Sequence, residues 1–173
     1  VKNIITALVL GLGVSSMAHA ADGTINFTGN IIEQACDITS GVAGTQTVNL
    51  GNIAKSNLSG AGKTSGSTKF SIVLADCPVD FIPTSVSVKF DGTSVAADTS
   101  LLALTAGQTA TGVGVQILEA DGNTPVPLRT ASVQQTLVSG GTTTLDFVAR
   151  YKAVAVATAG TANASTTFVV DYN

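Results

Sequence analysis

Apolar and polar residues alternate with a period of two over most of this chain. Thr24-Ile25-Asn26-Phe27-Thr28 alternates cleanly, as does Ser85-Val86-Ser87-Val88-Lys89-Phe90. Val113, Val115 and Ile117 share one parity, and so do Leu145, Phe147, Ala149 and Tyr151; Phe168, Val170 and Tyr172 fall on one face of the last segment. Successive side chains of a strand point to opposite faces, so the pattern predicts strands with one buried face. Turn-rich pieces separate them: Gly41 to Gly44, Ser56 to Ser67, Asp91 to Thr99, Asp121-Gly122-Asn123, Ser139-Gly140-Gly141 and Ala157 to Ala164. Several short strands divided by such turns predict an all-β sandwich. Helix is expected only as a single turn near Leu101 to Leu104. No internal repeat is visible.

The first twenty residues follow a different rule. Lys2 gives a basic start, Ile4 to Val14 an apolar core, and Ala18-His19-Ala20 a small-residue cleavage site, the three parts of a secretory signal. Val1 in first place is read as a non-ATG start or a truncation. Cleavage after Ala20 would leave 153 of the 173 residues, enough for one domain. No later stretch reaches the roughly 18 uninterrupted apolar residues of a membrane span.

Composition narrows the function classes. Without Lys2 the chain carries seven basic against eleven acidic residues, a net charge of about −4, and it has no Trp. That balance offers no basic footprint for nucleic acid and no basic amphipathic stretch for a membrane surface. The only histidine, His19, lies in the signal. The exported chain therefore has no serine–histidine or cysteine–histidine nucleophile and no imidazole for zinc. Cofactors and metals are not expected. Cys36 and Cys77, the only cysteines, are expected to form one disulfide in an exported protein.

The remaining polar motifs have ordinary readings. Glu119 and Asp121 are close enough in sequence to be weighed as a carboxylate pair, but they flank the Asp121-Gly122 turn, where acidic residues are common turn formers. Gly112-Val113-Gly114 lacks the third glycine and the following helix of a phosphate loop. Arg150-Tyr151 is read as structural. The tripeptides at Asn26, Asn57 and Asn163 match the glycosylation pattern, which is frequent by chance. Nothing here makes an active site.

The two ends carry more information. Gly23, Ile25, Phe27, Gly29 and Ile31 share one parity near the start, and Phe168 to Asn173 is a strand running to the last residue. Alternation alone leaves open whether these are two ordinary strands of a self-contained sandwich. The order Gly-Thr-Ile-Asn-Phe-Thr-Gly-Asn-Ile-Ile (23–32), Ala35-Cys36 and Val48-Asn49-Leu50-Gly51 resembles the start of type 1-like fimbrial major subunits, the chaperone–usher pilin family. Phe70 to Cys77, Gly112 to Leu118 and Phe147 to Tyr151 are similar to that family in order and spacing. So are Gly160, fourteenth from the end, and the penultimate Tyr172.

The resemblance implies an incomplete immunoglobulin-like β-sandwich that lacks its final strand and is completed by a donor strand. It implies a signal peptide (1–20), a donor-strand extension (21–33) and a pilin domain (34–173). Ile25, Phe27 and Ile31 would fill pockets of a neighbouring subunit. Gly29 would meet a shallow pocket, and Gly23 would take the outermost position. Gly160, Phe168, Val170, Tyr172 and Asn173 would form the edge held first by a periplasmic fimbrial chaperone and then, at an outer-membrane usher, by the next subunit. Glu33-Gln34-Ala35 would be a linker too short for the extension to fold back into its own groove. The implied role is a non-enzymatic shaft subunit of a surface fimbrium; a minor adaptor of the same fimbria and a monomeric secreted β-sandwich are the alternatives.

Overall fold

The computed structural model describes residues 25–29, 31, 35–42, 44–79 and 83–173. The chain divides into two units, Val1–Ile32 and Glu33–Asn173. Residues 25–29 and 31 of the first unit carry no strand. Gly23, Glu33 and Gln34 lie outside the described residues.

The second unit is all-β, with nine strands among its described residues. They are β1 (Asp37–Ile38), β2 (Thr64–Ala75), β3 (Ser85–Asp91), β4 (Ser94–Val95), β5 (Asp98–Leu102), β6 (Val113–Glu119), β7 (Gln135–Thr136), β8 (Thr143–Ala153) and β9 (Thr167–Tyr172). One sheet has the order β1-β2-β8-β6-β5-β4 and the other β7-β3-β9. Every pairing between these strands is antiparallel. The non-sequential order β2-β8-β6 shows that the chain crosses between layers, as in a Greek-key sandwich.

The predicted alternation sets the core. Val86, Val88 and Phe90 of β3 pack with Ile72 and Leu74 of β2 and with Leu145 and Phe147 of β8. Phe90 and Phe147 meet edge-on at 5.1 Å between ring centres, and Phe70 stacks on Phe147 at 5.6 Å. Fully burying one such aliphatic or aromatic side chain contributes about 1.5–3 kcal/mol. β6 is buried on both faces, because Gly114 on its outer side lies under Val95 and Leu101 of the β4–β5 hairpin.

The helical turn is not where it was expected. Leu101 and Leu102 end β5, with Leu102 paired to Val115, and both are buried. An extended backbone sends neighbouring side chains to opposite faces, so Leu102 joins the main core while Leu101 packs over Gly114. The single 3-10 turn among the described residues is Lys55–Leu58, pinned by the burial of Leu58 against Ala110, Val113, Ala153 and Ala157. The stretch Ser56 to Ser67, expected as turn throughout, already becomes β2 at Thr64, and Asp91 to Thr99 contains the short β4 and the start of β5.

The body has two distinct ends. At the disulfide end, Cys36 bonds to Cys77. There Asn173 O accepts from Thr84 N (2.9 Å) and Ser85 N (3.0 Å), and Leu137 N donates to Thr84 O (3.0 Å). At the far end, Thr105 N donates to Asn163 O (2.9 Å), Ala110 N to Thr161 O (3.1 Å) and Ala157 N to Leu58 O (3.0 Å). β9 runs from the far end, where Thr167 pairs with Asp91, to the disulfide end, where Tyr172 pairs with Val86.

Candidate functional site

β9 is the last strand of its sheet: it pairs with β3 on one side and with no described strand on the other. Phe168, Val170 and Tyr172 point toward the main core yet stay only half-buried. Val48, Leu50, Phe70 and Tyr151 are likewise core side chains left partly open. In a closed sandwich these positions would be as dry as Val86 or Leu145. The core is therefore open along β9, an edge that no described strand covers.

Local chemistry holds this edge in place. Six consecutive register pairs tie β9 to β3, and Lys89 Nζ meets Asp171 Oδ2 at 2.6 Å across them. Burial pushes the Tyr172 hydroxyl above the usual phenol range, partly offset by a hydrogen bond from the Cys36 backbone. That contact ties the last strand to the root of the extension. Asn173 is held by Ser85 in both directions, its N donating to Ser85 O at 2.8 Å and its O accepting from Ser85 Oγ at 3.3 Å. Gly160 lies apart, in the loop before β9 at the far end. A Cβ there would come within 2.5 Å of Ala110 N and Thr109 Oγ1, so that loop closes only around glycine.

The first unit has exposed apolar side chains of its own. Ile25 is 80%, Phe27 92% and Ile31 104% exposed, and a Cβ on Gly29 would meet nothing within 4 Å. Large apolar groups of one parity, left in water, have the form of a strand without a sheet.

The structure brings Cys36 and Cys77 together, and it seats Phe168, Val170, Tyr172 and Asn173 on one edge. Sequence reasoning missed the other apolar side chains along that opening. Val48 and Leu50 alternate, but two positions between turns give too short a run to mark a wall. Phe70 and Tyr151 read as ordinary core, yet both stay partly open.

The polar motifs are structural. Glu119 Oε1 accepts from Val133 N at 2.7 Å. Asp121 accepts from Asn123 N, Thr124 N and Thr124 Oγ1, bonds from its own turn that hold its carboxyl below the usual range. Arg150 Nε donates to Gln116 Oε1 at 2.9 Å and the Tyr151 hydroxyl to Ala162 O at 2.8 Å. Gly112 has φ +74, and a Cβ there would sit 2.6 Å from Val156 O, so packing explains this glycine. Among the described residues no group of three or more His, Cys, Asp or Glu is placed to hold a metal, and no helix is long and apolar enough to cross a membrane.

Residues 25–173 match the family model described as fimbrial protein. The chain belongs to the fimbrial protein family. It is 43% identical to the type-1 fimbrial protein A chain of Salmonella typhi, over 92% of this chain and 91% of that one. Among solved structures, the type I fimbria protein and antigen of Burkholderia pseudomallei is 36% identical, with TM-score 0.61 over 87% of this chain and 97% of the other. A chaperone–usher pilus structure, at 24% identity, shares the fold alone: TM-score 0.67 over 88% of this chain and 96% of the other. This fimbrial chain is thus a structural subunit of a surface fimbrium, with the incomplete immunoglobulin-like sandwich of pilins, and not an enzyme.

Proposed function

We propose that the subunit polymerises head to tail by donor-strand exchange, lending residues 21–33 to the open edge of a neighbouring copy. The observation that carries this is the pairing of two incomplete surfaces in one chain. Ile25, Phe27 and Ile31 stand in water, while the core is uncovered along Phe168, Val170 and Tyr172. Strand addition supplies main-chain hydrogen bonds, and alternate side chains enter the core. Burying the three large residues contributes roughly 1.5–3 kcal/mol each, which makes dissociation slow. Gly29 sits where the pocket has no room, and Gly23 occupies the outermost position.

An edge of this kind aggregates if left bare. A periplasmic chaperone covers it first, gripping β9 as far as Asn173, and the outer-membrane usher is where the next extension replaces the chaperone. Residues 1–20 direct export and are then removed, and residues 34–173 form the pilin domain. The test is periplasmic expression with and without a fimbrial chaperone, followed by electrophoresis with and without heating. Soluble subunit only with the chaperone, then heat-resistant oligomers, is the expected outcome. A stable soluble monomer without it overturns the reading.

A further inference from the structure

Two pairs of exposed charged side chains without an ion-pair partner among the described residues lie at opposite ends of the body. Lys89, Arg129 and Lys152 are in ion pairs with Asp171, Asp91 and Asp98 at 2.6, 2.8 and 3.0 Å. Among the described residues, Lys55, Lys63 and Lys69 have no such partner. Lys55 and Lys63 are exposed at the far end: Lys55 opens the 3-10 turn, and Lys63 O accepts from Ala153 N at 2.8 Å. Asp37 and Asp76 are exposed at the disulfide end, next in sequence to Cys36 and Cys77; Asp37 pairs with Ala75, the residue before Asp76. Neither has an ion-pair partner among the described residues.

The direction of growth brings these groups together. The extension joins the body through Cys36, at the disulfide end. If a second copy received it at its own disulfide end, like ends would meet and growth would stop at two. A filament needs the heterologous contact, disulfide end to far end. The donated strand then runs antiparallel to β9, as every pairing between the described strands does. The link Glu33-Gln34-Ala35 spans at most about 10 Å, comparable to the screening length at physiological salt. The two bodies therefore abut within range of each other's charges.

We propose that Asp37 and Asp76 of each incoming subunit face Lys55 and Lys63 of the subunit that receives its strand. This contact between copies is separate from the donated strand; it steers and orients each joint. The inference rests on the head-to-tail reading above. Opposite charges across a contact chiefly raise the association rate and penalise the wrong orientation.

The test compares joining rates of the full exported subunit, read as heat-resistant oligomer over time, in low and moderate salt. The variants are K55E/K63E, D37K/D76N and the combination of all four; asparagine is used at Asp76 because its φ of 50° suits asparagine better than lysine. A peptide of residues 21–32, ending before Glu33, serves as strand without body. We expect K55E/K63E to slow joining roughly three- to tenfold at low salt. The effect should fade toward about 0.3 M salt, and the four-fold variant should regain much of the lost rate. The peptide should enter wild type and K55E/K63E equally. Equal joining rates for all variants, with the peptide still binding, would overturn the charge contact and leave donor-strand exchange standing. Failure of the four-fold variant to gain over K55E/K63E would also overturn it. Oligomers that form although the peptide never binds would remove the donor-strand reading, and this inference with it.

Discussion

Single residues act here mainly through what space they leave. Gly29 has nothing around it in the chain as it stands, so a side chain there costs little until the segment is donated. Gly29→Leu is expected to fold and reach the chaperone normally while fibre yield collapses; normal yield would remove Gly29 from the pocket set. Gly112 is the opposite case, needed within the body because of its φ of +74 and the approach of Val156 O. Gly112→Ala should lower stability by about 1–3 kcal/mol, read from the urea midpoint. Asp98 is a residue-scale acid sensor. Hydrogen bonds from Ser100 and Lys152 hold its carboxyl below the ordinary 3.8. A depressed folded value means that its contribution is present above about pH 4 and lost as pH falls through the folded value. Asp98→Asn should therefore be less stable than wild type at neutral pH, with the gap closing as pH falls through the depressed folded value. A gap independent of pH would place the effect elsewhere. The alternation showed neither Asp98 nor Lys152 as a pair, since 54 residues separate them and only the sheet register brings them to 3.0 Å.

At the scale of elements, β9 and the extension are the informative pair. Both have the same period-two pattern, yet β9 lies in a sheet and the described residues of the extension carry no strand. The difference lies in neighbours: β9 finds six register partners in β3. Deleting Tyr172 and Asn173 removes the Asn173 bonds to Thr84 and Ser85 and the Cys36 contact, besides shortening the edge. Co-purification with a fimbrial chaperone should fall sharply, whereas Val169→Lys, on the exposed face of the same strand, should leave it unchanged. Equal capture of both variants would argue against β9 as the held edge. The leucine pair at 101–102 shows the limit of local reading. Two adjacent leucines after a turn-rich stretch suit a helical turn as well as a strand end. Pairing with Val115, and the hole above Gly114, select the strand.

For the whole molecule the disulfide and the open core matter together. Linking Cys36 to Cys77 closes a loop of about 40 residues, worth on the order of 4 kcal/mol in the chain-entropy model. It also anchors the root of the extension beside the end of β9. Cys36→Ser should lower periplasmic yield, and a thiol assay on the wild-type subunit should find no reactive thiol. Two reactive thiols would overturn the bridge. Sequence alone determined the β class, the two cysteines and the alternating segments at both ends, because each depends on residue type and short spacing. The ordered family motifs further implied which segment is lent. The tertiary structure decided that β9 pairs with no described strand on its outer side, that Val48, Leu50, Phe70 and Tyr151 stay partly open as its own apolar residues do, and that Lys55 and Lys63 lie at the opposite end from Asp37 and Asp76. Those facts depend on contacts between segments far apart in the chain, and strand register and sheet order, invisible in local periodicity, create them.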